Sequence, residues 1–356
     1  MSKERGECES GPLEPVTAFA PGRVNLIGDH TDYTGGLAMP ASIDLGTEVV
    51  FFPDRSVDTI ELSSSVEPET AKVPLDIRLD PWELGMLLPE WTRFVGAVTA
   101  TVRPRYGGKG SITTTLPIGS GLSSSASLTI ATTLALGFEG SRQDLIRACQ
   151  DAEHAASGVR GGLLDQMAIT MGRAGTALLL DFGEMSVDHI PIPESLDIVI
   201  AHSGVTRSLS TSAYSQRKSE CEAAEKVIGP LRLATAFDCD RLKDPLLRRR
   251  ARHVVTENAR VKMFAGALAS EDLRTAGSLM NMSHASLAMD FEVSIPELDE
   301  LASRLQALPG VYGARMTGAG FGGCVVAIAE RDAVRLPIRG VEAWIAHASR
   351  GAHRRE

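Results

Sequence analysis

Cysteine that is sparse and scattered, the lack of any long apolar run and a deficit of positive charge each close off a class of function. Cys8, Cys149, Cys221, Cys239 and Cys324 are odd in number and contain no Cys-x-x-Cys pair. They therefore form neither a disulfide framework nor a zinc site. No stretch approaches the ~18 apolar residues of a spanning helix, so no membrane is expected. Residues 1–11 are polar and charged, unlike a secretory signal, and a reducing cytoplasm is the expected compartment. A net charge of −9 speaks against a nucleic-acid partner, whose phosphates need a basic surface. The one basic run, residues 248–252, is followed by Glu257 and other acids and reads as a solvated helix face. Low-complexity segments and fixed-period repeats are absent, and no Gly-Lys-Ser/Thr P-loop follows any glycine-rich stretch.

What remains is an ordinary globular composition, 43% hydrophobic and 23% charged, in 356 residues. That length is large for one core and predicts two domains. Residues 17–19 read as a short strand entering a loop opened by Pro21 and Gly22. Residues 45–52, 59–62 and 111–116 read as strands, and 177–181 and 197–201 as strands buried on both faces. Helical spacing predicts helices over 91–102, 126–136 and 144–156, then 212–228, 248–269, 273–289 and 296–308, with a strand at 325–328. The polar segment 182–196, with Pro191 and Pro193, places the domain boundary there, giving 1–190 and 191–356.

The segment PIGSGLSSSA, residues 117–126, lies between a predicted strand and a predicted helix. Gly119 and Gly121 let successive N–H groups converge. Ser123, Ser124 and Ser125 add hydroxyls, and the helix start adds its positive end. Such a loop suits a polyphosphate; a flexible Gly/Ser linker is the alternative. With no lysine in it, Mg²⁺ must supply much of the countercharge. Upstream, Asp29, His30 and Asp32 crowd acceptors and a donor into one short loop, as a polyol requires, although the same residue types could also form a metal set.

Three segments resemble the galactokinase branch of the GHMP small-molecule kinases. They are APGRVNLIGDHTDYTGG at residues 20–36, the Ser-rich loop, and RMTGAGFGGC at residues 315–324. Shorter similar stretches occur at 152–154, 162–166, 207–209 leading to Tyr214, and 253–257, so the likeness runs through nearly the whole chain. The resemblance implies an α+β, two-domain GHMP kinase fold. Its N-terminal domain carries the Ser-rich loop on a left-handed βαβ unit, its C-terminal domain is ferredoxin-like, and the active site lies in the cleft between them. It implies ATP-dependent phosphorylation of the C1 hydroxyl of galactose, with ATP and Mg²⁺ as cofactors.

By the same resemblance Asp165, in GGLLDQ, is the base that takes the anomeric proton, and Arg23 stabilises transferred charge. A helix-capping aspartate and an ordinary salt-bridging arginine are the plainer readings. Asp32 would hold ring hydroxyls, His30 and Asp29 would reach toward C6, and Gly162 and Tyr214 would complete the sugar pocket. Leu122, Ala126 and the loop's glycines and serines would hold the nucleotide, with Ser125 as a Mg²⁺ ligand. Trp91 would line the adenine pocket. Tyr214 and Trp91 read equally as core aromatics. The third motif, expected to join a helix to a strand, either shapes the cleft floor or touches ligand.

Three departures stand out. Asp29 replaces the family's usual glutamate, drawing the carboxylate back by about 1.5 Å and leaving room for a pentose. Gly161 stands in place of cysteine. The region after Ala329 is short, compressing a helix and a strand between 331 and 353. Alternatives are a kinase for arabinose or galacturonate, and a silent sugar- and ATP-sensing regulator; the intact Ser125-Ala126, Asp165 and Arg23 disfavour the latter. The polar Asp29–Tyr33 segment disfavours a mevalonate-type kinase. A monomer is expected.

Overall fold

The computed structural model describes residues 13–117, 119–158, 161–206 and 210–355, the last segment by backbone alone at 210–212. The polar start with Cys8, the loop residue Ile118 and the similar stretch at 207–209 lie outside the described residues. β1 (Val16–Asn25) leads through a loop and a 3-10 turn at Asp32–Thr34 into β2 (Leu37–Ala38) and the long β3 (Pro40–Asp54). β4 (Thr59–Ser64) and β5 (Ala71–Pro74) form a hairpin. α1 (Pro81–Gly85) and α2 (Thr92–Val102) follow, and β6 (Gly107–Thr114) returns parallel to β4, a βαβ unit. The Ser-rich loop then opens α3 (Ser124–Ala135), followed by α4 (Arg142–Ser157), α5 (Leu164–Met171) and the hairpin β7 (Thr176–Asp181) and β8 (Ser186–Pro191).

β9 (Leu196–His202) enters the second half. There α6 (Ser210–Ile228), α7 (Ala236–Cys239), α8 (Pro245–Ala269), α9 (Leu273–Met289) and α10 (Pro296–Gln306) precede β10 (Val311–Met316), β11 (Cys324–Glu330), β12 (Ala343–Ala346) and β13 (His353–Arg355). The strands make a six-stranded sheet (β13-β1-β3-β6-β4-β5), a four-stranded antiparallel sheet (β10-β11-β9-β12) and a small sheet (β2-β7-β8). Helices α9 and α10 cover β10. No helix among the described residues is long and apolar enough to cross a membrane.

Sequence chemistry explains the local choices. α4 opens on a capping box formed by Ser141 and Asp144, and α8 on Asp244 with Pro245 in its first turn. α3 is rich in Thr and Ala. Its hydroxyls donate to helix carbonyls four residues back (Thr129 to Ser125, Thr133 to Thr129) and, from Ser127, to Ala20. That satisfaction lets a slightly polar helix lie buried beside β1 and β3.

Several expectations change. Residues 17–19 are part of a ten-residue strand, and Arg23 sits in that strand, not in a loop. The pairing of β1 with β3 slips between Pro21 and Arg23, and a Cβ at Gly22 would stand 2.8 Å from the Leu122 carbonyl oxygen. The glycine thus admits the phosphate loop against a bulged strand. The polar segment 182–196 contains β8, paired along its length with β7. The third motif joins two strands, β10 and β11. Between Arg331 and His353 the described residues form β12 and no helix.

The basic run is only partly a solvated face: Arg252 is exposed and Arg249 half-exposed, but Arg250 turns inward. Arg250 is 2% exposed, donating to Glu220 and Glu292 at 2.7 Å each and to the Asp290 carbonyl at 2.6 Å. Removing one partner of such a set strands the others without solvent. Arg250→Met is therefore expected to lower unfolding free energy by about 3 kcal/mol or more, measured by urea denaturation.

Candidate active site

A cleft of about 260 Å³ opens where the first sheet, α4, α5 and α6 meet the third motif. Its lining includes Arg23, Asp29, His30, Asp32, Glu153, Gly162, Asp165, Tyr214 and Gly318. Arg23 projects from β1 and is 7% exposed at its side chain. Asp165, in the first turn of α5, is 31% exposed. The guanidinium meets Asp165 Oδ1 through Nε at 2.8 Å and Nη2 at 2.7 Å, and its Nη1 donates to the Gly121 carbonyl at 2.5 Å. The pair is thereby fixed to the Ser-rich loop from one side.

A second tie runs through a residue the sequence reading left without a role. Glu153, on α4, accepts from Ser125 Oγ at 2.5 Å and from Gln166 Nε2 at 2.6 Å, and Gln166 follows Asp165. Burial pushes the Glu153 carboxyl up to about 7, against the pull of its hydrogen bond from Ser125. In sequence it is one acid on an amphipathic helix; only its place in the Ala152-Glu-His154 stretch singled it out.

In the phosphate loop Gly119 (φ +72°), Gly121 (φ +81°) and Ser123 (φ +63°) occupy the left-handed region. Three such residues within five turn the backbone sharply ahead of α3. The Ser123 hydroxyl is buried without a partner among the described residues. Leu122 and Ala126 are buried and support the loop from behind. A second hollow, about 200 Å³, is lined by Trp91, Phe94, Leu128, Ser124 and Ser125. Trp91 Nε1 is buried there and likewise unpaired among the described residues. The two hollows meet across the Ser125–Glu153 contact. Trp91 therefore lies in the second hollow, away from Asp165.

The loop after β1 brings its three polar residues to the other wall of the cleft. Asp29 is fully engaged: Oδ2 accepts from Arg315 at 2.5 Å and Oδ1 from the Gly318 N–H at 3.0 Å. His30 (φ +64°) has Tyr33 Oη at 3.0 Å from Nδ1 and the Ala319 carbonyl at 3.1 Å from Nε2, and its ring stacks near Tyr214 and Phe291. The third motif thus braces this loop, and Gly318 and Ala319 also face the cleft. Asp32 is pushed up to about 6, first by burial and then by the negative charge of Asp165. A Cβ at Gly162 would fall 1.6 Å from Asp32 Oδ2, whereas one at Gly161 would meet nothing within 4 Å. A side chain at 162 would thus have to push the Asp32 carboxylate aside, whereas one at 161 would meet nothing. Tyr214, half-buried on α6, lines the cleft rather than the core.

Comparison with known proteins agrees with this layout. The galactokinase galactose-binding signature matches residues 9–53, the GHMP kinases N terminal domain residues 93–173, and the GHMP kinases C terminal domain residues 264–340. The chain is 38% identical over 349 residues to the galactokinase of Homo sapiens, covering 94% of this chain and 88% of that one. It belongs to the galactokinase family. The galactokinase of Roseiflexus sp. is 37% identical over 353 residues, covering 93% and 88%. The structure of Lactococcus lactis galactokinase complexed with galactose superposes with a TM-score of 0.86 at 33% identity, over 97% of this chain and 96% of that one. The Methanococcus jannaschii mevalonate kinase (TM-score 0.70, 18% identity, 96% and 99% covered) shares the two-domain GHMP fold.

Two outcomes follow for this galactokinase-family cleft. Gly162→Ala displaces Asp32 and is expected to lower kcat/KM in sugar phosphorylation about a hundredfold, while Gly161→Ala stays within about threefold of the parent, read by coupled ADP release. The folded pKa of Asp32 lies above its unfolded value, so its contribution to stability is full below pH ~4 and lost as pH rises through about 6. Asp32→Asn should therefore stabilise the unliganded protein at pH 8 by roughly 1–3 kcal/mol. That gain should fade on acidification and vanish near pH 4, as denaturation curves across pH would record.

Proposed function

We propose that the chain transfers the γ-phosphoryl group of ATP to the anomeric hydroxyl of galactose, giving galactose 1-phosphate and ADP. The observation that carries this reading is the Arg23–Asp165 pair, opening on a cleft of hydroxyl acceptors and tied to a phosphate-binding turn. Asp165 accepts the C1 hydroxyl proton. The freed oxygen attacks the γ-phosphorus, and the bond from phosphorus to the β,γ-bridging oxygen breaks as ADP leaves. Arg23 holds the Asp165 carboxylate in one orientation and offsets negative charge gathering on the phosphoryl oxygens.

Asp32 and Tyr214 take ring hydroxyls, with Gly162 admitting Asp32 to the site. Asp29 and His30 shape the far end of the pocket through Arg315, Gly318 and Ala319. Gly119, Gly121 and the hydroxyls of Ser123 and Ser124 receive the polyphosphate, and the hollow lined by Trp91, Phe94 and Leu128 receives the adenine. Ser125 and Glu153 fit Mg²⁺: they are two oxygen donors 2.5 Å apart. Glu153 is a half-buried carboxyl group at the cleft wall without an ion pair among the described residues, and Mg²⁺ commonly takes one or two protein oxygens beside substrate phosphates. Bound there, the ion supplies countercharge to the polyphosphate.

Residues 1–190 are the proposed ATP- and sugar-binding half, and 191–356 the second half. The proposed working unit is the single chain, whose own residues line the cleft. The proposed setting is a reducing cytoplasm, in keeping with the free thiols of Cys149, Cys221, Cys239 and Cys324.

Asp165→Asn keeps shape and removes the base. It is expected to lower kcat by about 10²–10⁴ with sugar binding by calorimetry retained; near-normal turnover would refute the assignment. A panel of galactose, 2-deoxygalactose, arabinose, galacturonate and glucose, read by ADP release, should favour galactose, and faster turnover of arabinose would overturn the substrate.

A further inference from the structure

One face of α8 grips the backbone at both ends of the loop that carries Asp29, His30 and Asp32. Glu257 is fully buried; its Oε1 accepts the Gly28 N–H at 2.9 Å and the Ser283 hydroxyl at 2.5 Å, and its Oε2 accepts Arg260 Nε at 2.7 Å. One turn earlier, His253 Nε2 lies 3.1 Å from the Asp29 carbonyl, and the next residue after Glu257, Asn258, accepts the Leu37 N–H at 2.8 Å. The i, i+4 spacing puts His253 and Glu257 on one side of the helix. Gly28 has φ +93°, and a Cβ there would meet Ala38 Cα and the Leu37 carbonyl at 2.6 Å. The chain is thus pinched where it leaves β1 and where it enters β2.

An unpartnered buried N–H at Gly28 would be costly, and a carboxylate is the strongest acceptor available to it. Burial alone would push Glu257 up, but His253, Arg260 and Arg315 around it bring it to about 2. It therefore stays charged across the working range.

We propose that Glu257 is a positioning residue for the sugar, setting the height and register of the Asp29–Asp32 loop against Asp165 through the Gly28 N–H, with Asn258 as its counterpart at the Leu37 end. This rests on the reading that the loop receives the sugar. The nucleotide elements, α2 and the start of α3, pack on the six-stranded sheet and take no part in the hydrogen bonds from Glu257, His253 and Asn258. The consequence is selective: loosening the α8 grip lets the sugar-binding side chains drift while the ATP site keeps its shape.

The test uses the full chain with steady-state kinetics in both substrates. Glu257→Gln keeps volume but places an amide N–H₂ against Arg260 or Gly28. Its KM for galactose is expected to rise about tenfold or more, the effect of losing a charge-assisted hydrogen bond, with KM for ATP unchanged and kcat within about threefold. Asn258→Ala, at the less buried end of the grip, is expected to give the same pattern at smaller size, and it answers the question if Glu257→Gln folds poorly. Leu305→Ala, a core truncation in α10 that touches none of this, is the control: it should lower the melting temperature and leave both KM values alone. Wild-type sugar KM in both grip variants, or KM for ATP rising as much as that for sugar, would overturn the proposal. A parent enzyme that turns over other sugars but not galactose would instead overturn the substrate reading, and the same split would then be read with the sugar it uses.

Discussion

The contact between Arg23 and Asp165 organises the cleft because each partner is immobilised by a different part of the fold. Arg23 issues from a bulged strand and is held by the Gly121 carbonyl. Asp165 stands in the first turn of α5, followed at once by Gln166, which reaches Glu153 and through it Ser125. The phosphate turn is therefore tied to the acid–base pair at both its glycine end and its serine end. Displacing any member moves the distance between the proposed proton acceptor, Asp165, and the loop proposed to carry the donor phosphate. In a reaction governed by alignment, such a closed circuit matters more than the strength of any one bond.

Legibility in sequence followed backbone constraint. The glycines of the phosphate loop stood out since positive φ leaves few substitutes, and the polar Asp29–Asp32 cluster stood out by density, whereas Gly162 came only with the family resemblance. Glu153 was hidden because an acid between Ala152 and His154 on an amphipathic helix looks like any solvent-facing residue; its contact is made with a hydroxyl 28 positions away. Arg250 was misread for a related reason. Charge counted along the run pointed outward, whereas helical spacing to Val254, Glu257 and Val261 puts the residue on the buried face. β10 escaped notice because Gly313 and Arg315 interrupt its apolar pattern. Gly313 is forced by the approach of Gly277, whose carbonyl oxygen would lie 2.1 Å from a Cβ there. Arg315 is forced by Asp29. Strands that do a specific job carry residues that strand propensity does not anticipate.

The site is also built across the order of the chain. A loop encoded near residue 30 takes its support from residues 253–258 and 315–319, while the residues proposed to hold the nucleotide come from 91–126. Burial of ionised groups at these crossings is tolerated because each finds several partners: Asp29 has Arg315 and a backbone N–H, and Glu257 has Arg260, Ser283 and Gly28. Such networks fix one arrangement among many that would bury similar apolar area.

The last strand sharpens this interdependence in time. β13, residues 353–355, pairs with β1 through Thr17 and Phe19, so the edge of the first sheet is completed only by a segment synthesised far downstream of it. Until then the outer rim of β1 stands open, beside a helix that must already hold the phosphate turn. Folding of the first half during synthesis can proceed, yet its sheet closes only when the chain doubles back, which makes a bulky insertion beside residues 353–355 a perturbation of the sheet that bears Arg23. The pairing of residues 17 and 355 equally makes this seam a natural place to link the two strands covalently and open the chain elsewhere.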